Sequence, residues 1–370
     1  MSDEKFMQFA LSLAEETIGQ TSPNPVVGAA LVKNGNIVGF GAHLKAGEKH
    51  AEVHAIDMAG DEARGSTLYV TLEPCSHQGR TPPCTDLIIK NGVSRVVIAA
   101  KDPNKQVNGV KILRDAGISV ETGILEEEAN RINAPFFHFI QTKRPYVTLK
   151  TAMSLDGKIA TKTGESKWIT GETARFDAHA YRHSHDGILV GVETVIADDP
   201  SLTTRLKTGA GRNPVRIILD THLRTPLDAN VVTAPEASTW IIVGNKVTEE
   251  AKIQFLQYEH VSIIQLKDET IRIPEVLDVL GQKEITSLLV EGGATVNSSF
   301  LQEKMFNQLI VYMAPKLISG YGAPTSILGT GFESLAEVPS LSIQQVEQLD
   351  EDIKIVATYK GEESHVYRDC

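Results

Sequence analysis

Cysteine is scarce, with 3 in 370 residues. An odd, small number in so long a chain excludes a disulfide framework. Positive charge is also short: 36 Lys+Arg against 47 Asp+Glu leave a net charge of −11. A sequence-independent hold on nucleic acid needs a basic face, so no nucleic-acid partner is expected. A local basic pocket for one phosphate stays compatible with that balance. No apolar run reaches membrane length, so no membrane partner is expected either. The start, Met1-Ser2-Asp3-Glu4-Lys5, lacks the regions of a signal peptide, and a cytoplasmic protein is expected. Gly-x-Gly-x-x-Gly and Gly-x-x-x-x-Gly-Lys-Ser/Thr are both missing, so a regular dinucleotide or phosphate-loop fingerprint is absent. No Gly/Ser-rich linker occurs. At about 100–200 residues per domain, the length suggests two or three domains.

Two of the three cysteines belong to one pattern. His50-Ala51-Glu52 is followed by Pro74-Cys75 and then by Cys84. A His-x-Glu with a Pro-Cys and a second Cys is a zinc-deaminase signature. One His and two thiolates supply three ligands, and the fourth position stays open for water, as in catalytic rather than structural zinc sites. Zinc lowers the pKa of such a water to about 7. Glu52 is not a ligand in this scheme; it moves protons between that water and the leaving amine. Eight residues separate Cys75 from Cys84, against two in the generic pattern. That spacing fits a broken site or an inserted loop. The insert contains His77, Arg80, two hydroxyls and two prolines, which favours a stiffened loop that binds a phosphate beside the metal. Asn24, His43, Asp102 and Asn104 are further candidates for the same pocket. His54 and His138 are assigned structural or surface roles, and Cys370 that of an exposed bystander.

Hydrophobic spacing predicts a helix over 4–18, strands over 26–32 and 37–41, and an Asn34-Gly35 hairpin between them. A helix over 50–59, a strand over 67–72, a helix from Cys84 to Lys90 and a strand over 96–100 follow. The order is that of an α/β layer fold. It sets His50 and Glu52 at one helix start and Cys84 at another, where partial positive charge favours thiolates. A single helix is predicted over 125–140. Arg144-Pro145 breaks the pattern, which places domains at 1–143 and 144–370. Beyond it, strands over 146–151, 187–191, 215–220, 238–243, 261–265, 286–290 and 308–313 alternate with helices near 171–184, 249–257, 274–281 and 294–304. A mainly parallel sheet is expected. A Gly292-Gly293 turn after an apolar strand leads into a helix and could cradle a pyrophosphate.

Ser-Pro-Asn-Pro-Val-Val-Gly at 22–28, His-Ala-Glu-Val-His-Ala at 50–55, Thr-Leu-Glu-Pro-Cys-Ser-His at 71–77 and Asp-Pro-Asn at 102–104 resemble the deaminase half of the bifunctional riboflavin-biosynthesis deaminase-reductases. The long Cys–Cys loop is typical of that family. The turn Asn108-Gly109-Val110 departs from it, being shorter than the family's Gly-x-Gly. Lys150–Ala160, Ser166–Thr170 and Val190–Arg205 resemble its reductase half. The resemblance implies a cytidine-deaminase-like three-layer domain followed by a dihydrofolate-reductase-like α/β domain. It implies one zinc and NADPH as cofactors. Ala152, Trp168, Thr194, Asp198, Thr221 and the turn Gly293, Ala294, Thr295, Val296, Asn297, Ser298, Ser299 would contact NADPH. Ser166, Arg182, Leu202, Arg205 and Glu291 would contact substrate, with both arginines on its 5′-phosphate and Glu291 on pyrimidine N–H groups. Lys150 would sit beside the reacting group. The substrate would be a pyrimidine ribosyl phosphate, 2,5-diamino-6-ribosylamino-4(3H)-pyrimidinone 5′-phosphate. Deamination would be followed by reduction of the ribosyl group to ribityl. Lys150, Asp198 and water all remain open as proton donor in that reduction. A homo-oligomer is expected.

Overall fold

The computed structural model describes residues 2–76, 82–207, 209 and 211–361. It divides into two compact units, Met1–Lys143 and Arg144–Cys370. Among the described residues, no helix is long and apolar enough to cross a membrane.

The first unit begins with α1 (Asp3–Glu15), β1 (Gly28–Lys33), β2 (Asn36–Ala42), α2 (Ala51–Ala59) and β3 (Thr67–Leu72). It continues with α3 (Cys84–Lys90), β4 (Arg95–Ala100), α4 (Gly109–Asp115), β5 (Ser119–Thr122), α5 (Glu126–Ile132) and α6 (Ala134–Thr142). The strand order is β2-β1-β3-β4-β5. β1 runs antiparallel to both neighbours, and β3, β4 and β5 are parallel. Register shows why three layers form. Gly28 faces α1, where an added Cβ would lie 1.9 Å from the Ala10 carbonyl oxygen. Its neighbour Ala29 pairs with Gly41, whose added Cβ would meet His54 Cβ of α2 at 2.4 Å. Successive residues point to opposite faces, so α1 and α2 cover opposite sides of the sheet. Leu11, Leu31, Leu68, Ile98 and Leu113 are fully buried between these layers, each contributing about 1.5–3 kcal/mol.

The expected single helix over 125–140 is two helices, α5 and α6. Asn133 divides them. Its side chain accepts from Val26 N–H at 2.9 Å and donates to Val26 C=O at 3.0 Å. Pro135 then opens α6 at its first turn. Helical periodicity continues across the break, which is why spacing alone missed it.

The second unit contains β6 (Tyr146–Ser154), α7 (Glu172–Ser184), β7 (Gly187–Gly191), α8 (Val192–Asp198), β8 (Val215–Leu219), α9 (Asn230–Thr233) and β9 (Thr239–Val243). After these come α10 (Glu249–Ile253), β10 (Val261–Gln265), α11 (Ile273–Gln282), β11 (Ser287–Val290), α12 (Ala294–Gln302), β12 (Gln308–Ala314), β13 (Leu341–Leu349) and β14 (Asp352–Tyr359). α10 is shorter than the expected 249–257. The nine strands run in the order β10-β9-β8-β7-β11-β6-β12-β14-β13. All are parallel except the last hairpin. Alternate strand residues feed two cores. Leu189, Ile217, Leu288 and Val290 pack with Val276, Leu280 and Phe300 of α11 and α12. Ile188, Val190, Ile218 and Leu289 pack with Val195 and Val231 of α8 and α9. A parallel sheet covered on both faces needs such near-continuous apolar strands.

The chain goes from β6 to β7 past an empty place in the sheet, moves outward to β10, and returns to fill that place with β11. Open α/β sheets bind ligands outside the carboxyl ends of strands at such a reversal.

Candidate active sites

The first site is built on two helix starts and the loop after β3. His50 is the residue before α2, and Glu52 lies in its first turn. Cys84 opens α3. His50 Nδ1 lies 3.5 Å from Cys75 Sγ and 3.3 Å from Cys84 Sγ. All three donor atoms fall within 4.8 Å of one another. Zn–S bonds of about 2.3 Å and Zn–N bonds of about 2.1 Å in a tetrahedron put S and N about 3.6 Å apart. The donor set therefore fits a zinc ion in both chemistry and spacing. The Cys84 side chain donates to Cys75, and with His50 it brings the Cys75 thiol down to about 4. The same bond pushes the Cys84 thiol up. Hydrogen bonding to Cys75 raises His50. Glu52 is buried, and burial raises its carboxyl.

Asn24 and His43 adjoin this cluster. Asn24 Nδ2 lies 3.0 Å from His43 Nε2, and His43 Nδ1 lies 3.2 Å from the Lys49 carbonyl oxygen. With Nδ1–H donating to Lys49, Nε2 accepts from Asn24, which is the neutral tautomer. Burial lowers His43 in the same direction. Its ring meets that of His50 edge-on at 5.3 Å. Asp102 and Asn104 follow β4. Asp102 accepts from Asn104 N–H at 2.8 Å, and Asn104 from Gln106 N–H at 3.1 Å. These bonds shape their own loop. His77 and Arg80 lie outside the described residues.

Sequence reasoning missed Glu73. Its carboxylate accepts from Val110 N–H at 2.9 Å and Asp102 N–H at 3.4 Å. It thereby ties the 102–110 loop to the strand that leads into Cys75. The signal was a carboxylate closing an apolar strand. Position 109 requires glycine: a Cβ there would lie 2.2 Å from the Pro74 carbonyl oxygen. Asn108 N–H donates to Ser76 Oγ at 2.8 Å.

The second site lies at the reversal of the larger sheet. β6 continues past the end of β11, so Lys150 and Ala152 stand at the open edge. Lys150 Nζ lies 3.7 Å from a Glu291 carboxylate oxygen. Arg182 of α7 donates to the same carboxylate through Nε at 2.9 Å and Nη2 at 2.8 Å. Burial alone would raise Glu291, but Arg182 and Lys150 outweigh it and hold the carboxyl well below its usual range. Both expected arginine roles were phosphate contacts; the fork of Arg182 instead meets a carboxylate of the chain. Arg205 is exposed, and its backbone N–H donates to His179 Nδ1. Leu202 is buried in the core behind α8.

The expected cofactor turn starts α12. A Cβ on Gly293 would lie 3.6 Å from Thr194 Oγ1, and one on Gly191 2.9 Å from Val296 Cγ2. The starts of α8 and α12 are thus neighbours, and Thr194 joins the 293–299 turn. Asn297 is buried and donates to Ser326 C=O, while its Oδ1 has no hydrogen-bond partner among the described residues. Ser298 is buried, Thr295 exposed, and Ser299 bonds the Thr295 carbonyl. Ala294 accepts from Leu328 N–H. Backbone amides at these helix starts and an unfilled buried acceptor suit a nucleotide phosphate and its sugar.

Residues 1–100 match the cytidine and deoxycytidylate deaminase zinc-binding region, and residues 145–355 match the RibD C-terminal domain. The riboflavin biosynthesis protein RibD of Bacillus amyloliquefaciens is 52% identical over 362 residues, covering 97% of this chain and 96% of that one. That of Escherichia coli (strain K12) is 40% identical, covering 95% and 98%. The chain belongs to the RibD family. A solved RibD of Acinetobacter baumannii superposes with a TM-score of 0.86 at 40% identity over 96% of this chain and 98% of its own. A structure from Thermotoga maritima, described as a diaminohydroxyphosphoribosylaminopyrimidine deaminase/5-amino-6-(5-phosphoribosylamino)uracil reductase, has a TM-score of 0.86 at 37% identity, with coverage of 96% and 98%.

As a RibD, the chain joins a zinc-dependent deaminase and an NADPH-dependent reductase of riboflavin biosynthesis, acting on a small molecule. The fold is the expected pair of α/β domains. Other expected residues of the RibD reductase half are spread along the sheet edge. Thr221 follows β8 and accepts from Gly244 N–H. Asp198 ends α8 and is exposed. Ser166 is half-buried in the loop after β6. Trp168 is 64% exposed, stacked on Arg175 at 4.5 Å, and its carbonyl accepts from Lys316.

Proposed function

We propose that residues 1–143 remove the 2-amino group of 2,5-diamino-6-ribosylamino-4(3H)-pyrimidinone 5′-phosphate and that residues 144–370 reduce the ribosyl group of the product to ribityl. The observation that carries this reading is that each unit gathers its own constellation: His50, Cys75 and Cys84 beside Glu52 in one, Lys150 and Arg182 around Glu291 in the other.

In the deaminase, His50, Cys75 and Cys84 would hold zinc, which when bound would make a water nucleophilic near neutral pH. Glu52 would move a proton to the departing amine; its place in the first turn of α2, beside His50, supports this. Asn24, oriented by His43, and the 102–104 loop, oriented by Glu73, contact the pyrimidine. His77 and Arg80 belong to the loop assigned to the phosphate. In the reductase, NADPH when bound would be the source of hydride for the ribosyl carbon. Thr194, Thr221, Asp198, Ala152, Trp168 and the 293–299 turn bind it. Glu291 accepts pyrimidine N–H bonds, Lys150 lies beside the reacting carbon, and Ser166 and Arg205 complete the sugar-phosphate side.

Two thiolates that must stay reduced to bind metal support a cytoplasmic location. A homo-oligomer is the assembly we propose.

The test is product identification with the full chain. Without NADPH, the substrate should yield ammonia and the deaminated pyrimidine only; adding NADPH should give the ribityl product. Cys75→Ser and Glu52→Gln should stop ammonia release yet still reduce supplied deaminated substrate. Undiminished ammonia release by Glu52→Gln would overturn the assignment of that residue.

A further inference from the structure

Arg182 touches more of the second site than any role in phosphate binding requires. It projects from α7 with its side chain only 15% exposed, against 11% for Glu291. Nε and Nη2 form the two-pronged pair with Glu291, and Nη1 donates to the Thr203 carbonyl at 3.0 Å. Three of its five N–H groups are therefore engaged within the chain, on the edge best shaped for an oxyanion. Its neighbours on α7 grip the same loop. His179 accepts from Arg205 N–H at 3.3 Å, and His183 from Arg212 N–H at 2.9 Å. Positions 179, 182 and 183 share a helix face.

Lys150 is held from two sides. Glu291 lies 3.7 Å away, and the Tyr312 ring centre 5.7 Å. That ring is fixed, because its hydroxyl donates to Asp177 of α7 at 2.6 Å. A carboxylate as buried as Glu291 would neutralise without a paired cation. Protonated, it would turn from acceptor to donor and lose its hold on Lys150. One Lys at 3.7 Å, without a second prong, fixes neither the plane nor the charge of a carboxylate.

We propose that Arg182 is a positioning residue of the reductase: it orients Glu291 as a carboxylate beside Lys150 and pins the 202–205 loop through Thr203, while the charge on the substrate phosphate falls to Arg205. This rests on the reading of the second unit as the reductase site. It separates two arginines that sequence resemblance placed in one role.

The experiment uses the full chain, NADPH, and two substrates: the deaminated ribosylamino-pyrimidine with its 5′-phosphate, and the same compound dephosphorylated. The charged and titratable groups facing Glu291 are Arg182 and His179 of α7, His185 just beyond it, Lys150 of β6 and Tyr312 of β12. Arg182→Gln should lower kcat by a similar factor, about a hundredfold, on both substrates. The acid limb of its kcat/KM profile should move to higher pH, because Glu291 loses its main counter-charge and must be ionised to act. Arg182→Lys, which keeps the charge but not the fork, should return the limb toward its original position without restoring kcat. Arg205→Gln should raise KM on the phosphorylated substrate alone. Arg182→Gln/Glu291→Gln should be no slower than Glu291→Gln, since a residue acting through Glu291 has nothing left to act on. If Arg182→Gln impairs only the phosphorylated substrate and leaves the acid limb in place, the proposal is overturned. Losses that multiply in the double variant overturn it as well, and that comparison survives weak folding of either single variant. A wild-type chain that oxidises no NADPH with either substrate would instead overturn the reductase reading and this proposal with it.

Discussion

Asp3 shows how one carboxylate can fasten a terminal helix. It accepts from both terminal nitrogens of Arg95, at 2.9 and 2.8 Å, and from the Tyr69 hydroxyl at 2.6 Å. The Arg95 bonds, then the Tyr69 bond, lower its carboxyl from 3.8 to about 2. A depressed carboxyl contributes stability that is full above its unfolded pKa and is lost as pH falls through the folded one. The window is therefore about pH 4 down to about pH 2. The full linkage value, about 2.4 kcal/mol, shrinks to about 1 kcal/mol once solvent screening at a site this accessible is allowed for. Denaturant unfolding of the first unit's signal should show Asp3→Asn less stable by that amount at pH 7, with the gap closing as pH falls from 5 to 2. A gap that stays constant over that range would rule out the ion pair as its source. At this scale the candidate zinc cluster was legible in the sequence, because a His-x-Glu followed by a Pro-Cys and a second Cys has few other uses. Glu73 and the Arg182–Glu291 pair were not. Their partners lie 29 to 109 positions away, and no local spacing reports such a distance.

Elements were legible where one period dominates. α1, β1 and β2 were read within a few residues, and the strands β6 to β12 of the larger sheet likewise. The break at Asn133 was not, because what stops the helix is a tertiary bond to Val26 rather than a local signal. β13 went unread for a related reason. It is an edge strand whose Ile343 and Val346 are 65% and 62% exposed, so it carries no clean inside-outside alternation. The break also has an energetic consequence. Asn133 and Val26 are both buried, and Asn133→Ala would strand a backbone N–H and C=O away from water. Each unmet group costs about 1–3 kcal/mol, so the variant should lose about 2–4 kcal/mol in chemical denaturation followed on the first unit. An alanine variant as stable as wild type would mean that water replaces both bonds.

The whole chain carries two constellations in two compact units, each with its own core, and the chemistry asks different things of them. The first gathers His50, Cys75 and Cys84, the ligands proposed for its zinc, from the start of α2, the loop after β3 and the start of α3. Zinc bound there ties those segments together, and ligand binding to the native state raises stability by mass action. The second depends on a parallel sheet and on backbone amides, and its constellation contains no thiol. A chelator strong enough to strip zinc should therefore abolish ammonia release and lower the unfolding temperature of the first unit. It should leave NADPH oxidation with supplied deaminated substrate unchanged, and restoring zinc should return ammonia release. If chelation stopped NADPH oxidation at the same rate as deamination, the two sites would not be energetically separate. The division of labour between the units would then have to be replaced by one shared active state.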